Sequence, residues 1–214
     1  MASYAEPLRR LHWLAWGAIA AAVAVAGIAY ALTRSHSTAT DNATPPIAAW
    51  RAGQRPAPAF ALRDQQGRPV SLAQFHGRNV LVTFIDPLCR NYCPLEAKQL
   101  NLLVKSLPAD SRPAIVAVSV NIYGNARVNL LQDVTHWQLS SEWHWAVGSP
   151  AQLERVWKNY EIGVLDVPKK VAGVTIHEVS HTEGAYLIDG TGHERALFLW
   201  PYTAADVKQQ LKQL

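Results

Sequence analysis

The chain has 214 residues, of which 49% are hydrophobic and only 17% charged, with a formal net charge of +4. That length suits one domain and an accessory segment, not two ordinary domains. No Lys/Arg cluster is dense enough to suggest nucleic acid as a partner, and the low charged fraction implies that part of the apolar content lies outside a soluble core.

The apolar excess sits near the start. No Asp, Glu, Lys or Arg occurs between Arg10 and Arg34. Residues 11–32 are numerous enough to cross roughly 30 Å of hydrocarbon as a helix. His12, Trp13, Trp16 and Tyr30 lie near its ends, where amphipathic rings favour the interface. A cleavable signal peptide usually has a shorter apolar core, about 7 to 15 residues, so the sequence predicts a retained anchor. The flanking charges and the short tail, residues 1–10, favour a cytoplasmic N-terminus with the rest of the chain outside. Residues 33–57 are rich in Ser, Thr, Ala and Pro and read as a flexible linker. A globular domain is expected over residues 58–214.

Within that domain, "AFALRDQQGRPVSLAQF" reads as two short strands about a turn at Gln66-Gly67. "NVLVTFID" is a β-branched apolar run, as expected of a strand buried on both faces. "PLEAKQLNLLVKSL" places Leu95, Leu100, Leu103 and Leu107 near helical spacing, and "AIVAVSVNI" is a second buried strand. "RVNLLQDVTHWQL" predicts a helix, "HWAVGSP" a short strand, and "PAQLERVWKNYEI" a helix with Pro150 in its first turn. "VTIHEVSHTEGAYLIDGTGHERALFL" reads as two strands joined at 189–192, and "TAADVKQQLKQL" as a closing helix capped by Thr203. Apolar strands alternating with helices, followed by a hairpin, define an α/β sandwich. The order fits a thioredoxin-like fold.

The two cysteines of the chain are Cys89 and Cys93. Proline favours the first helical turn and disfavours helix in the residue before it. Cys93 is therefore expected as the N-cap of a helix starting at Pro94, with Cys89 in the loop after "NVLVTFI". Both sulfurs then lie at the C-terminal end of a central strand, where α/β folds place their sites, and a helix N-terminus favours thiolate. A disulfide across so short a loop restrains the unfolded chain little, which leaves two functional readings. One is thiol–disulfide exchange, although the spacing is C-x3-C rather than C-x2-C. The other is a metal site, since two thiolates are soft ligands suited to Cu(I) or Zn(II). The only methionine is Met1, so a third ligand must be histidine. His181 precedes a strand expected beside the cysteine-bearing one. Two thiolates and one imidazole suit Cu(I), whereas structural zinc normally takes four ligands.

These residues resemble the SCO/SenC copper chaperones, membrane-anchored proteins of thioredoxin-like fold. The resemblance runs from about residue 56 to 214. It rests on "PAPAFALRDQQGRPVSLAQFHGRNVLVTF", on Phe84 followed by Cys89 and Cys93-Pro94 (F-x4-C-x3-C-P), on "VGSPAQLERVWKNYEI" and on "SHTEGAYLIDGTG". It implies that Cys89, Cys93 and His181 bind one copper ion per chain. It also implies delivery of copper to the copper centre of a respiratory oxidase, or reduction of the cysteines of that centre. Expected partners are the copper-centre subunit of a terminal oxidase or another extracytoplasmic cuproprotein, and the membrane. The sequence departs from the family pattern at Ser180, where an Asp is usual, and in "DPLCRNYCP", which lacks the common threonine and Pro-Asp. The alternative function is an extracytoplasmic thiol–disulfide oxidoreductase using Cys89 and Cys93 as its catalytic pair.

"HEVSH", residues 177–181, matches the zinc-peptidase motif H-E-x-x-H. That motif needs a helix, and the β-branched surroundings predict strand. His177 is then expected to be exposed or at a strand end, with Glu178 a solvated charge. His136, His144 and His193 read as surface or turn residues, Asp86 as a turn residue capping the strand end, and Tyr92 as a shield over the metal or a plain loop aromatic.

Overall fold

The computed structural model describes residues 22–28 and 43–214. The predicted tail, the anchor apart from 22–28, and the linker as far as position 42 lie outside the described residues. Residues 22–28 are helical and exposed. Among the described residues, no helix is long and apolar enough to cross a membrane.

Residues 43–214 form one compact unit. Its ten strands are β1 (Ala48–Ala49), β2 (Leu62–Arg63), β3 (Pro69–Val70), β4 (Val80–Ile85), β5 (Ala114–Ser119), β6 (Trp143–Ala146), β7 (Val164–Val171), β8 (Val174–His181), β9 (Gly184–Ile188) and β10 (Glu194–Leu199). Its helices are α1 (Tyr92–Lys105), α2 (Arg127–His136), α3 (Pro150–Asn159) and α4 (Ala204–Leu211). Six strands make the central sheet in the order β1-β10-β9-β4-β5-β6. β4, β5 and β6 run parallel; β9 lies antiparallel beside β4, and β10 antiparallel beside β9.

Side chains on a strand alternate between faces, and β4 divides the core accordingly. Val80, Val82 and Phe84 join Val116, Val118 and Tyr186 on one face, closed by Leu153, Val156 and Tyr160 from α3 and its end. Leu81 and Ile85 join Ile115, Ala117 and Leu187 on the other, closed by Leu100 and Leu103 of α1, Leu130 of α2 and Val207 of α4. That is why β4 and β5 read as unbroken apolar runs.

Local signals account for the boundaries. Gly67 has a φ of 82° in the turn between β2 and β3, a conformation that glycine adopts without strain. Ser149 and Gln152 form a capping box with Pro150 at the first turn of α3, and Thr203 caps α4 together with Asp206. The turn joining β9 to β10 is held by Asp189, whose side chain accepts from the backbone N–H of Thr191 and His193 at 3.0 and 3.1 Å.

Three expectations are revised. Residues 43–57, read as the end of a flexible linker, are part of the fold. β1 pairs with β10, and Trp50 stacks on Tyr186 with centroids 6.5 Å apart. Val164–Val171, assigned no strand from sequence, pairs along its length with Val174–His181 in a separate two-stranded arm. Finally, α1 begins at Tyr92, so Cys93 lies inside its first turn. The N-cap is Asn91, whose side chain accepts from the Tyr92 N–H at 3.0 Å. Pro94 is tolerated there because the first backbone N–H groups of a helix have no partner within it.

Candidate metal centre

The centre forms where the loop after β4 turns into α1 and meets the end of β8. Asp86 shapes the loop, as the sequence predicted. Its carboxylate accepts from the Leu88 N–H at 2.7 Å, and its carbonyl accepts from the Cys89 N–H at 3.1 Å. Arg90 donates to the Pro87 and Cys89 carbonyls at 3.0 and 2.9 Å and lies 3.5 Å from Asp133. Burial pushes the Asp133 carboxyl up to about 6 against the opposing pull of Arg90.

The two sulfurs differ. Both are free thiols; Cys89 is partly exposed and Cys93 fully buried. The Cys93 backbone N–H points at the Cys89 sulfur from 3.4 Å. A hydrogen bond from the Cys93 thiol brings the Cys89 pKa down to about 6. Burial opposes this, and backbone N–H groups of Cys93, Asn91 and Tyr92 assist it. The same bond and the same negative charge, together with burial, push the Cys93 thiol far up. Of the two, Cys89 is thus the sulfur whose environment favours thiolate.

His181 ends β8 and closes the site from the opposite side. Its Nε2 is 4.0 Å from the Cys93 sulfur. Its Nδ1 is 3.0 Å from the Thr182 carbonyl. A carbonyl only accepts, so the Nδ1 side carries a proton, and in that tautomer the Nε2 lone pair is the one directed toward the Cys93 sulfur. Metal bonds of about 2.3 Å to sulfur and about 2.0 Å to nitrogen span two atoms 4.0 Å apart without displacement. The residues present therefore fit a thiolate- and imidazole-bound ion.

The sequence reading omitted Glu183. One of its carboxylate oxygens, a His181 nitrogen and the Cys93 sulfur lie within 4.8 Å of one another. Burial raises the Glu183 pKa, His181 opposes, and Cys89 raises it further. The available signal was proximity in sequence: Glu183 lies two residues after His181, in the short connection between β8 and β9. Glu96 was also missed. It is buried on α1, and its Oε1 accepts from the Thr83 and Tyr202 hydroxyls at 2.6 Å each. Burial raises its pKa to about 7.

The other candidates sort as follows. "HEVSH" lies on β8, not on a helix. At about 3.3 Å per residue, His177 and His181 are too far apart to share an ion. His177 is not a free strand-end residue: its Nδ1 is 3.0 Å from both Asp166 oxygens. Glu178 pairs with Lys169. His144 is half-buried on β6 against Phe75, and burial lowers its pKa. Tyr92 is 54% exposed, and Leu88 and Leu95, close to the cysteines in sequence, are exposed as well.

A parallel-centred sheet with helices on both faces, and a cysteine pair where the central strand enters its helix, defines a thioredoxin-like protein. Within that class the chain belongs to the SCO1/SenC family, whose model matches residues 49–214. It is similar to ScoI of Bradyrhizobium japonicum, solved with copper bound, at 21% identity over 73% of this chain and 98% of that one (TM-score 0.64). It is also similar to BsSco, described as a member of the Sco family of cytochrome c oxidase assembly proteins. Identity there is 21% over 79% and 95% of the two chains (TM-score 0.58). The thioredoxin domain of a thiol-disulfide oxidoreductase from Bacteroides vulgatus matches at 20% identity over 77% and 98% (TM-score 0.54). At these identities the structures establish the fold. No curated protein matches the chain.

Proposed function

We propose that the protein is a membrane-anchored copper chaperone that binds one copper ion through Cys89, Cys93 and His181 and passes it to the copper centre of a respiratory oxidase or another extracytoplasmic cuproprotein. The observation that carries this reading is the 4.0 Å approach of the His181 Nε2 to the Cys93 sulfur, with Nδ1 committed to a carbonyl. Thiol–disulfide exchange has no need of that imidazole. Membership of the SCO1/SenC family, and copper in the Bradyrhizobium relative, support copper as the cargo. Residues 11–32 are the proposed anchor. They hold the domain on the extracytoplasmic side, in the membrane of its target, and so raise the effective concentration of donor at acceptor.

Transfer proceeds by ligand exchange. A partner thiolate or imidazole enters beside the more exposed Cys89, and the ion moves as donor bonds are replaced one by one. The exposed side chains of Leu88, Tyr92 and Leu95 offer the partner an apolar seat around that entry.

The test is an anaerobic titration of the reduced full chain, kept in detergent, with Cu(I) against a competing chelator. One tightly held copper, lost in Cys89→Ala and in His181→Ala, is the expected result. Retention of full affinity in His181→Ala would sink the assigned ligand set.

The low pKa of Cys89 favours a second reading, an oxidoreductase. The Cys89 thiolate would attack a partner disulfide and release one partner thiolate. Cys93 would then attack the Cys89 sulfur, releasing the second thiolate and leaving a Cys89–Cys93 disulfide. Exchange that survives His181→Ala, in a protein without tight copper, would select this reading.

A further inference from the structure

Glu183 introduces a hard donor into an otherwise soft site. It follows His181 by two residues, in the short connection between the end of β8 and the start of β9. Its carboxylate lies within 4.8 Å of both the Cys93 sulfur and a His181 nitrogen. The backbone here is held from two sides. Trp200 donates its N–H to the Glu183 carbonyl at 3.1 Å, and on the other side β9 pairs with β4, Ala185 opposite Thr83. Gly184 lies so close to β10 that a Cβ there would sit 2.6 Å from the Phe198 carbonyl oxygen. The segment carrying the carboxylate is thus pinned to the sheet beside Cys93.

We propose that Glu183 is a fourth ligand, used when the bound copper is Cu(II) and left unused when it is Cu(I). The inference rests on the copper-binding reading above and specifies which oxidation states that site accepts. Two thiolates and one imidazole already satisfy Cu(I), which favours soft donors and low coordination. Adding a carboxylate to that set only accumulates negative charge around a monovalent ion. Cu(II) is harder, favours four-coordinate tetragonal surroundings with nitrogen and oxygen donors, and carries the extra positive charge that a carboxylate balances. The set Cys89, Cys93, His181 and Glu183 therefore holds both ions, and Glu183 selectively strengthens the hold on the oxidised one. It sets the oxidation state in which cargo is retained rather than whether cargo binds.

The experiment compares the full chain with Glu183→Gln, which keeps the size of the side chain and removes its charge. Each is titrated with Cu(I) against a competing chelator, and separately with Cu(II), recording the Cu(II) electron paramagnetic resonance spectrum and the thiolate-to-copper absorption immediately after mixing. Expected for Glu183→Gln are a Cu(II) affinity lower by about tenfold or more, altered Cu(II) hyperfine splitting, and a Cu(I) affinity within about twofold of the wild type. Unchanged Cu(II) spectra in the variant would overturn the ligand assignment, even if affinity fell. Equal losses for both ions would also overturn it, because Glu183 would then act only through its charge or through the fold. A wild type that binds Cu(I) but not Cu(II) would overturn this inference alone. One that binds neither would overturn the copper reading itself, so the two failures are distinguishable. The melting temperature of the metal-free variant controls for misfolding.

Discussion

The ring of Tyr123 lies against the imidazole of His177, with centroids 3.8 Å apart and planes 25° from parallel. The Tyr123 hydroxyl donates to Asp166 at 2.9 Å, and Asp166 in turn holds His177. These contacts fasten the β7–β8 arm to the turn at Ile122–Gly124. That turn packs on the cysteine loop, because a Cβ on Gly124 would meet Pro87 and Leu88 at 3.0 Å. His181 is four residues further along the same arm. Tyr123→Ala should therefore lower Cu(I) affinity by about tenfold, the scale of a lost orienting contact. Tyr123→Phe, which keeps the ring, should lose less. Chelator competition measures both; equal affinity in all three proteins would show that the arm needs no clasp.

The thiol pair makes a kinetic prediction. In the reduced, metal-free protein, Cys89 should react with iodoacetamide half-maximally near pH 6, because only the thiolate attacks. Its rate should rise with pH up to about 7 and then level off, while Cys93 stays slow. Cys93→Ala removes the leading cause and should move the half-point of Cys89 toward the ordinary thiol range. Mass-spectrometric alkylation kinetics decide the matter, and an unmoved half-point would point instead to the backbone N–H groups.

Glu96 predicts a pH-dependent stability. Its folded pKa of about 7 exceeds the unfolded value near 4.5, so the folded state holds a proton that the unfolded state gives up. The stability this supplies is fully present below pH 4.5 and is lost as pH rises through 7. At about 1.4 kcal/mol per pH unit, the interval amounts to about 3 kcal/mol. Urea unfolding of wild type and Glu96→Gln at pH 5 and pH 8 should show a smaller loss in the variant. Parallel profiles would place the effect elsewhere.

Gly184→Ala should destabilise the domain by about 1 to 3 kcal/mol, the usual cost of overpacking, since the new methyl would meet the Phe198 carbonyl at 2.6 Å. It should also weaken copper binding by displacing the segment that carries His181 and Glu183. Denaturant titration and chelator competition on the same sample measure the two effects.

The parts of the fold that bury both faces were legible in the sequence, because burial leaves an apolar record: β4, β5, and the β9–β10 hairpin with its Asp-Gly turn. Cys89, Cys93 and His181 stood out as candidates because few other residues bind soft metals, and the fold brings Cys93 and His181 to 4.0 Å. β7 and its pairing with β8 were not legible. β7 is almost wholly exposed, carries Pro168 and two lysines, and is held by its partner strand rather than by a core. Helix α1 was placed but slightly rotated. Leu95, expected on its apolar face, is 51% exposed, while Glu96 is 1% exposed, because Thr83 and Tyr202 supply partners that no periodicity reveals. Glu183 was missed for a similar reason: its role depends on where the chain passes after His181, not on its neighbours in sequence.

The separation of Cys93 and His181, 88 residues along the chain, gives the two cysteines two different mechanical meanings. A metal held between them is a long-range cross-link: it fastens the β7–β8 arm to the body and closes a large loop. A disulfide between Cys89 and Cys93 closes only a tiny loop and leaves the arm to its clasp. Loop closure restrains the unfolded chain more as the loop grows. Loading with metal and oxidation of the thiols thus use the same sulfurs to tie different parts of the molecule. A partner that touches the arm could tell a loaded chain from an oxidised one by how firmly the arm is held.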